Sequence, residues 1–340
     1  MVKVGIVGMG FMGMTHFRAW QKINIAKVVN ICEARPLPED GDLSRIANNP
    51  GAGDGLKIDY TQTKVVQKVE LMLKNEELDL VDICLPTGAH KDVAIASLKA
   101  GKHVVCEKPL ARTLAQVMEM KAVAEESGKI LMPAQCVRFF PEYRYLKHLI
   151  EDGRYGKVVA ARFRRVSEAP GWGISSFLKG QESGGALYDL HVHDLDYVLY
   201  CFGMPKAVYA RGATYASGAT DHVIANYVYD EGPVVTVEGS WAMAKGFGFC
   251  AGFSINFEKA TLEMDTSRGA DAMKLYEPGQ PAVVVRPEGD DGYTGELRHI
   301  AEAIARGGKP SVVTCQDGVN SLRVCEAEEK SIKTGTIVTL

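Results

Sequence analysis

VKVGIVGMGFMG, at residues 2–13, is the stretch that decides the fold. Its apolar half has the form of a buried parallel strand, and its glycines form a GxGxxG pattern. Gly8 permits a tight turn, Gly10 lets the backbone approach a pyrophosphate, and Gly13 allows close packing of a helix on the strand. The residues that follow indicate a helix, whose N-terminus attracts phosphate. The strand, the glycine turn and the helix together predict a dinucleotide-binding unit.

An acidic residue lies at the distance from this pattern that such a unit requires. Glu33 comes 20 residues after Gly13 and ends a second apolar strand at residues 28–32. A carboxylate there binds both ribose hydroxyls and repels a 2′-phosphate, which favours NAD as the cofactor. Arg35 lies nearby and is able to accept a 2′-phosphate, so NADP stays open as the alternative.

The pattern of strands and helices changes after residue 135. Before it, apolar strands alternate with helices, which predicts a doubly wound parallel α/β sheet; residues 65–73 have helical periodicity within this part. Residues 158–285 contain short β-rich segments, which predict an open, mostly antiparallel sheet of an α+β domain, with helices on one face. Residues 186–202 interrupt them with helical spacing, and residues 295–306 and 317–334 again indicate helices.

Composition excludes several classes of protein. The 340 residues carry 39 basic and 42 acidic side chains, a net charge of −3, so no basic field attracts nucleic acid. No apolar stretch approaches the roughly 18 residues of a membrane helix. The N-terminus shows no signal peptide, and the eight scattered cysteines form no CxxC pair. We therefore expect a cytoplasmic protein with structural thiols and without a membrane or nucleic-acid partner.

Two segments carry candidate catalytic side chains. Lys108 directly follows a buried strand, and open α/β sheets bind ligands at the carboxyl ends of their strands. A surface lysine in a loop is the alternative. On the helix at residues 186–202, Asp189 and His193 are four residues apart and share a face, whereas His191 points away. Asp189 would orient the imidazole of His193, a suitable acid or base near neutrality.

The same helix allows two other interpretations. Asp189 could simply cap the helix, with His193 packed in an interface. The HxHDxD sequence at residues 191–196 contains metal-ligand types, but on a helix the two histidines lie about 200° apart. We therefore expect no metal site.

These features resemble the glucose–fructose oxidoreductase/inositol dehydrogenase (Gfo/Idh/MocA) family over nearly the whole chain. The resemblance rests on the GxGxxG unit and on five further stretches: Leu85-Pro86-Thr87 with His90, AGKHVVCEKPL at residues 100–110, Arg138-Phe139-Phe140-Pro141, GRYG at residues 153–156, and Gly185 with Asp189 and His193.

The resemblance implies a role for each matching residue. The dinucleotide would be held by Gly8, Gly10, Phe11, Met12 and Gly13, with Glu33 and Arg35 beside the adenosine ribose. The nicotinamide side would be lined by Leu85, Pro86, Thr87, His90, Glu107 and Lys108. Gln135 matches a cofactor position, Arg138 matches a position near the substrate, and Lys108, Asp189 and His193 match the catalytic positions. Trp172 is a further candidate that could stack on a sugar ring, with a core role as the alternative.

The resemblance also implies a domain organisation. It places a dinucleotide-binding Rossmann domain at residues 1–135 and a substrate-binding and oligomerisation domain at residues 136–316. The helix at residues 317–334 would pack back on the first domain, since its apolar positions need burial. The open face of the antiparallel sheet, which includes Val234, Thr236 and Glu238, would pair with another subunit in a homodimer or homotetramer.

The implied function is the transfer of a hydride between NAD and a secondary alcohol of a sugar, cyclitol or related polyol. His193 would take the hydroxyl proton, and Lys108 would hold the same oxygen. Two alternatives remain. One is an NAD-dependent glycosidase that uses transient oxidation and elimination. The other is a non-catalytic sugar or dinucleotide sensor, against which the presence of Lys108, Asp189 and His193 argues.

Overall fold

The chain forms two compact units in a computed structural model that describes residues 1–45, 55–171 and 178–340. The first unit contains Met1–Cys136 and Gly292–Val319, and the second contains Val137–Pro170, residues 178–291 and Asn320–Leu340. The α-helices of the described residues are α1 (Phe11–Trp20), α2 (Val69–Leu73), α3 (His90–Lys99), α4 (Leu114–Ser127), α5 (Pro141–Asp152), α6 (Gly180–Ser183), α7 (Val192–Phe202), α8 (Gly292–Ala305) and α9 (Cys315–Thr334).

The first unit is built on a six-stranded sheet. Its strands are β1 (Val2–Val7), β2 (Ala26–Cys32), β3 (Lys64–Val66), β4 (Leu80–Ile83), β5 (His103–Glu107) and β6 (Leu131–Ala134). They lie in the order β3-β2-β1-β4-β5-β6, and their pairings are parallel. The order reverses beside β1, which creates the crevice where doubly wound sheets bind ligands. The predicted Rossmann fold is confirmed.

The apolar residues of β1 explain why it lies inside this sheet. Val4 and Ile6 on one face are 0% exposed and Val7 on the other is 2% exposed, because helices cover both faces of a doubly wound sheet. One sequence-based assignment is wrong. Residues 65–73 were expected to be helical, but Val65 and Val66 pair with Ile31 and Cys32, and the helix α2 begins only at Val69. Their β-branched side chains suit an edge strand.

The second unit is built on a nine-stranded sheet. Its strands are β7 (Val158–Glu168), β8 (Ala207–Ala213), β9 (His222–Val228), β10 (Val234–Met243), β11 (Phe249–Phe257), β12 (Thr261–Asp265), β13 (Met273–Tyr276), β14 (Val283–Val284) and β15 (Val338–Thr339). Their order is β14-β13-β12-β11-β7-β10-β9-β8-β15. Of the pairings, β7 with β10 is parallel and the rest are antiparallel, which confirms the predicted mostly antiparallel sheet.

An aromatic cluster joins this sheet to its helices. The Tyr143 ring, on α5, lies 4.8 Å from the Tyr197 ring on α7 and 5.4 Å from the Phe253 ring on β11, centroid to centroid. Phe163 of β7 lies 5.8 Å from Tyr197. These edge-on contacts fix α5 and α7 on the buried face of the sheet, because aromatic pairs add specific geometry to the burial of apolar area.

The helix around Asp189 and His193 begins differently from the expected α-helix. Leu187–His191 form a π-helical turn, which leads directly into α7. A π turn is wider than an α turn, since its hydrogen bonds join residues five apart. On such a turn, residues four and five apart lie on the same side of the helix. In this geometry Asp189 and His193 lie on one side of the helix.

The C-terminal helices differ from the expected arrangement. The helix α8 packs on α1 and β1, so residues 292–316, assigned from sequence to the second domain, belong to the first unit. Only the first turn of α9 belongs there, where Gly318 lies against Leu110. Further along α9, the Ser331 hydroxyl accepts a hydrogen bond from the Ala210 amide. An amphipathic pattern predicts that a face is buried, but not which unit covers it.

One face of the second sheet carries exposed apolar side chains and is not covered by another element of the described residues. Its apolar side chains Ile224, Val228 and Val234 are 40%, 40% and 71% exposed. Between them, the Thr236 hydroxyl donates a hydrogen bond of 2.8 Å to the Asn226 carboxamide oxygen. Alternating exposed and buried residues on β9 and β10 show that the opposite face is the buried one. Among the described residues, no helix is both long enough and apolar enough to span a bilayer.

The close packing of β10 on the π turn gives the first prediction. A Cβ on Gly239 would lie 2.6 Å from the Cβ of His191, a distance that requires one backbone to move. We expect Gly239→Ala to lower the free energy of unfolding by about 1–3 kcal/mol through overpacking. Thermal unfolding measures this. Gly308→Ala is the matched control, since its new Cβ would meet Ala303 O at 3.9 Å, and an equal loss in both variants would contradict the prediction.

Candidate functional site

The glycine turn after β1 has the geometry that a bound pyrophosphate requires. Gly8 has a φ of 90°, and a Cβ there would lie 2.8 Å from Cys84 O. A Cβ on Gly13 would lie 1.9 Å from Gly8 O, so no larger residue fits. At Gly10, in contrast, a Cβ would meet nothing within 4 Å. The backbone at Gly10 is thus open on the side where a phosphate approaches the helix.

The first turn of α1 follows this opening. Gly10 is its N-cap residue, and the half-buried Phe11 and Met12 form the start of the helix. Helix N-termini bind anions because their amides point outward and the helix dipole is positive there. The described residues therefore fit a dinucleotide at the positions that the sequence predicts.

Glu33 connects the end of β2 to the glycine turn. Its carboxylate accepts a hydrogen bond of 2.7 Å from the Met9 amide and is 7% exposed. Arg35 donates to it from its backbone amide and from its guanidinium, at 3.0–3.2 Å. Burial by itself raises the pKa of Glu33, but these hydrogen bonds and the charge of Arg35 outweigh it and bring the pKa below its usual value. Glu33 is thus ionised at neutral pH, next to the turn.

The loops that follow β4 and β5 are tied together by His90. Its Nε2 lies 2.7 Å from Leu85 O, and its Nδ1 lies 2.9 Å from Pro109 O. Burial lowers the pKa of this imidazole, in spite of the two carbonyls that raise it. Pro86 and Thr87 begin the short 3₁₀ turn that leads into α3. The residues predicted on the nicotinamide side therefore lie at the carboxyl ends of neighbouring strands.

Lys108 lies at the end of β5 with its side chain partly exposed. The residues on both sides of it, Glu107 and Pro109, are buried, and the Lys108–Pro109 peptide bond is cis. The Lys108 amide donates a hydrogen bond of 3.2 Å to the Glu107 carboxylate. The backbone at Lys108 is therefore held, while its side chain reaches the surface of the first unit.

A buried charged cluster around His16 was missed by the sequence analysis. The Nδ1 atom of His16 lies 3.0 Å from the Asp82 carboxylate, and its Nε2 lies 3.1 Å from Glu107. The Trp20 indole also donates to Asp82, at 2.8 Å. An available signal was Asp82 itself, because an acid inside an apolar strand needs a buried partner. The Glu107 carboxylate, predicted on the nicotinamide side, faces this cluster.

Asp189 and His193 are partly exposed residues of a buried segment in the second unit. Along residues 186–198, these two side chains are partly exposed and the other eleven residues are buried. The segment therefore presents one carboxylate and one imidazole on its accessible side. His191, in contrast, is fully buried, with its Nε2 atom 3.1 Å from the Glu328 carboxylate of α9. As predicted, it points away from Asp189 and His193.

The remaining predicted residues are placed as follows. Arg138 is 3% exposed, pairs with both oxygens of Asp196 at 2.7 Å, and has its guanidinium 4.6 Å from the centre of the Tyr200 ring. This arrangement favours a structural role over the expected substrate contact. Gln135 is buried at the end of the first unit. Trp172 lies outside the described residues.

Comparisons with known proteins place this geometry in a family. Residues 2–135 match the family model described as "Oxidoreductase family, NAD-binding Rossmann fold", and residues 143–263 match the "GFO/IDH/MocA C-terminal domain". The chain is 27% identical to scyllo-inositol 2-dehydrogenase (NADP(+)) IolW of Bacillus subtilis, over 98% of this chain and 94% of that protein.

Two further proteins extend the comparison. The chain is 27% identical to 1,5-anhydro-D-fructose reductase of Ensifer adhaerens, over 80% of this chain and 83% of that protein. The solved structure of levoglucosan dehydrogenase in complex with NADH and levoglucosan has the same fold, with a TM-score of 0.83. It is 23% identical to this chain and covers 99% of both chains.

The ionised Glu33 gives a prediction about the choice of cofactor. We expect Glu33→Gln to raise the Kd for NAD about tenfold, since hydrogen bonds to charged groups are worth about 1.5 kcal/mol more than neutral ones. The same change should tighten NADP binding, because it removes a charge that repels the 2′-phosphate. Titration of both cofactors measures this, with Arg35→Ala as the control that weakens NADP alone. Equal or tighter binding of NADP than NAD by the unaltered chain would contradict the prediction.

Proposed function

Because this chain belongs to the Gfo/Idh/MocA family of NAD(P)-dependent oxidoreductases, we propose that it transfers a hydride between NAD and a secondary alcohol. The alcohol belongs to a sugar, cyclitol or related polyol. The observation that carries the proposal is the partial exposure of Asp189 and His193 on an otherwise buried segment. A polar side chain loses hydration when it is buried. The packing of the core therefore does not account for an acid and an imidazole on the accessible side of this segment.

Each proposed role follows from the chemistry of the side chain. In the oxidation direction, His193 takes the hydroxyl proton as the C–O single bond becomes a carbonyl, and Asp189 stabilises the resulting imidazolium. The Lys108 ammonium donates a hydrogen bond to the same oxygen and stabilises its developing negative charge. When bound, NAD supplies the acceptor for the hydride that leaves the carbinol carbon.

The relatives support a polyhydroxylated substrate. Their printed names refer to scyllo-inositol, 1,5-anhydro-D-fructose and levoglucosan, which are ring compounds with several hydroxyl groups. These names differ from one another, so they support the class of substrate and not one compound. A panel of inositols, aldoses and anhydrosugars with NAD, read at the absorbance of NADH, tests the proposal directly.

Two histidines of the same segment provide a matched pair of variants. His193→Ala should lower kcat about 10²–10⁴-fold, the usual contribution of a general base, and leave the Kd for NAD nearly unchanged. His191→Ala should leave kcat within a few fold but lower the melting temperature, because it leaves Glu328 buried without its imidazole partner. Loss of turnover in His191→Ala alone would overturn the assignment. Unchanged ligand binding with no turnover in any protein would indicate a sensor.

We also infer a homodimer or homotetramer, formed through the uncovered face of β9 and β10. Exposed apolar side chains grouped on one sheet face are typical of a surface that associates with another protein. The Val234 side chain, at 71%, is the most exposed of its three apolar residues.

Substitution on that face gives the prediction. Val234→Asp should reduce the particle mass in light scattering from a multiple of 37.0 kDa to 37.0 kDa, since a buried charge destabilises an apolar interface. Leu71→Asp, at a 48% exposed residue of the first unit, is the control. An assembly unaffected by Val234→Asp would argue against this interface.

A further inference from the structure

We propose that His16 is a positioning residue: a buried imidazolium that holds the Glu107 carboxylate and, through it, the backbone of Lys108. The inference rests on the proposed function in one respect, the role of Lys108 at the substrate oxygen. Its structural part concerns the first unit alone and is testable without a substrate.

The contacts of His16 place it between two strands of the sheet. From α1, its Nδ1 faces both oxygens of Asp82 on β4, at 3.0 and 3.1 Å. Its Nε2 faces Glu107 on β5 at 3.1 Å. The imidazole and the Asp82 side chain have no exposed surface, and 8% of the Glu107 side chain is exposed. One ring thus connects the helix after the glycine turn to the last residue of β5.

Other groups also face this ring. The Cys84 thiol, on β4, lies 3.4 Å from Nδ1, and the Glu296 carboxylate, on α8, lies 3.7 Å from Nε2. The Tyr293 ring of α8 has its centroid 6.4 Å away. Three carboxylates therefore surround His16, and the imidazole, the Asp82 side chain and the Glu296 side chain have no exposed surface.

This arrangement favours a proton on His16, because a carboxylate faces each of its two ring nitrogens. A neutral imidazole has one N–H and can donate to one carboxylate only, so the other would face a lone pair. Burial by itself lowers the pKa of His16, but the Asp82 charge and hydrogen bond raise it well above its ordinary value. Glu107 responds in the opposite direction: burial raises its pKa, and His16, with Lys108 and His90, brings it below its usual value.

The connection to Lys108 continues through the other carboxylate oxygen. The Glu107 Oε1 atom lies 3.1 Å from His16 Nε2 as an ion-pair contact, and its Oε2 atom accepts a hydrogen bond of 3.2 Å from the Lys108 amide. The orientation of this carboxylate therefore determines where the backbone leaves β5. The His90 imidazole contacts the carbonyl oxygen of Pro109, the residue that follows Lys108. A change in the charge of His16 reaches the Lys108 amide through two contacts, both made by the buried Glu107 carboxylate.

The sign of the pH dependence follows from the raised pKa. The imidazolium is present at acidic and neutral pH, and its contacts are lost as pH rises through the folded-state pKa. Asp82→Asn removes the main charge that raises this pKa and should lower it. The loss of positioning then occurs at a lower pH than in the unaltered chain.

The test follows two nuclei in the full-length protein by NMR. One is the imidazole ¹⁵N of His16, and the other is the backbone amide of Lys108. We expect both signals to titrate with one midpoint above the ordinary histidine value, and Asp82→Asn to move both midpoints down together. His103→Gln is the matched control. His103 lies on β5, as Glu107 does, and accepts a hydrogen bond from the Ile130 amide, so its substitution should move neither midpoint. In Glu107→Gln, the Lys108 amide should no longer follow His16.

The outcomes separate this inference from the proposed function. A Lys108 amide that does not follow His16 in the unaltered chain overturns the inference, even if the enzyme oxidises a polyol. Coupled titration supports it, even if no polyol is turned over, which would count against the proposed function. If the enzyme turns over a polyol, kcat should fall at high pH as His16 loses its proton. In Asp82→Asn, the pH of this fall should shift together with the NMR midpoint, while the Kd for NAD stays within about twofold. A general loss of stability would not move the pH of this fall.

Discussion

The first unit depends on the burial of a charged cluster beneath its ligand-binding edge. His16 faces Asp82, Glu107 and Glu296 in a buried region, where an unpaired charge would cost several kcal/mol. The elements that bring these residues together are α1, β4, β5 and α8. The same elements carry the glycine turn and the loops predicted to surround the nicotinamide. The packing that pairs the buried charges therefore also places the binding loops.

The second unit also pairs its buried charged residues. Asp194 pairs with Arg165 at 2.7 Å, and Asp196 pairs with Arg138, so the charged residues on the inner side of α7 are neutralised. The π turn before α7 then places Asp189 and His193 on the accessible side. π turns occur often at functional sites, where an extra residue re-aims the side chains that follow. The rigid core of α7 thus supports the two residues to which we assign proton transfer.

Much of this could be predicted where the signal is local in sequence. The glycine turn, Glu33 and the alternation of strands and helices depend on fixed spacings, and the structure has them where expected. The His16–Glu107 contact could not be predicted, because it joins residues distant in the chain whose partners depend on the strand order. The units on which α8 and α9 pack could not be predicted for a related reason: an apolar helix face does not identify the surface that covers it. The pairing of Arg138 with Asp196 could not be predicted either, because it joins residues 58 positions apart that only the tertiary fold brings together.

The central claim is that a hydride passes between a polyol carbon and the cofactor. Transfer of deuterium tests it most directly, with a polyol from the active panel that carries deuterium on the oxidised carbon, in ordinary water with NAD. The account predicts that deuterium appears on C4 of the nicotinamide in the isolated NADH, with a primary isotope effect on the single-turnover rate. Release of the deuterium to water, with none in the cofactor, would contradict it.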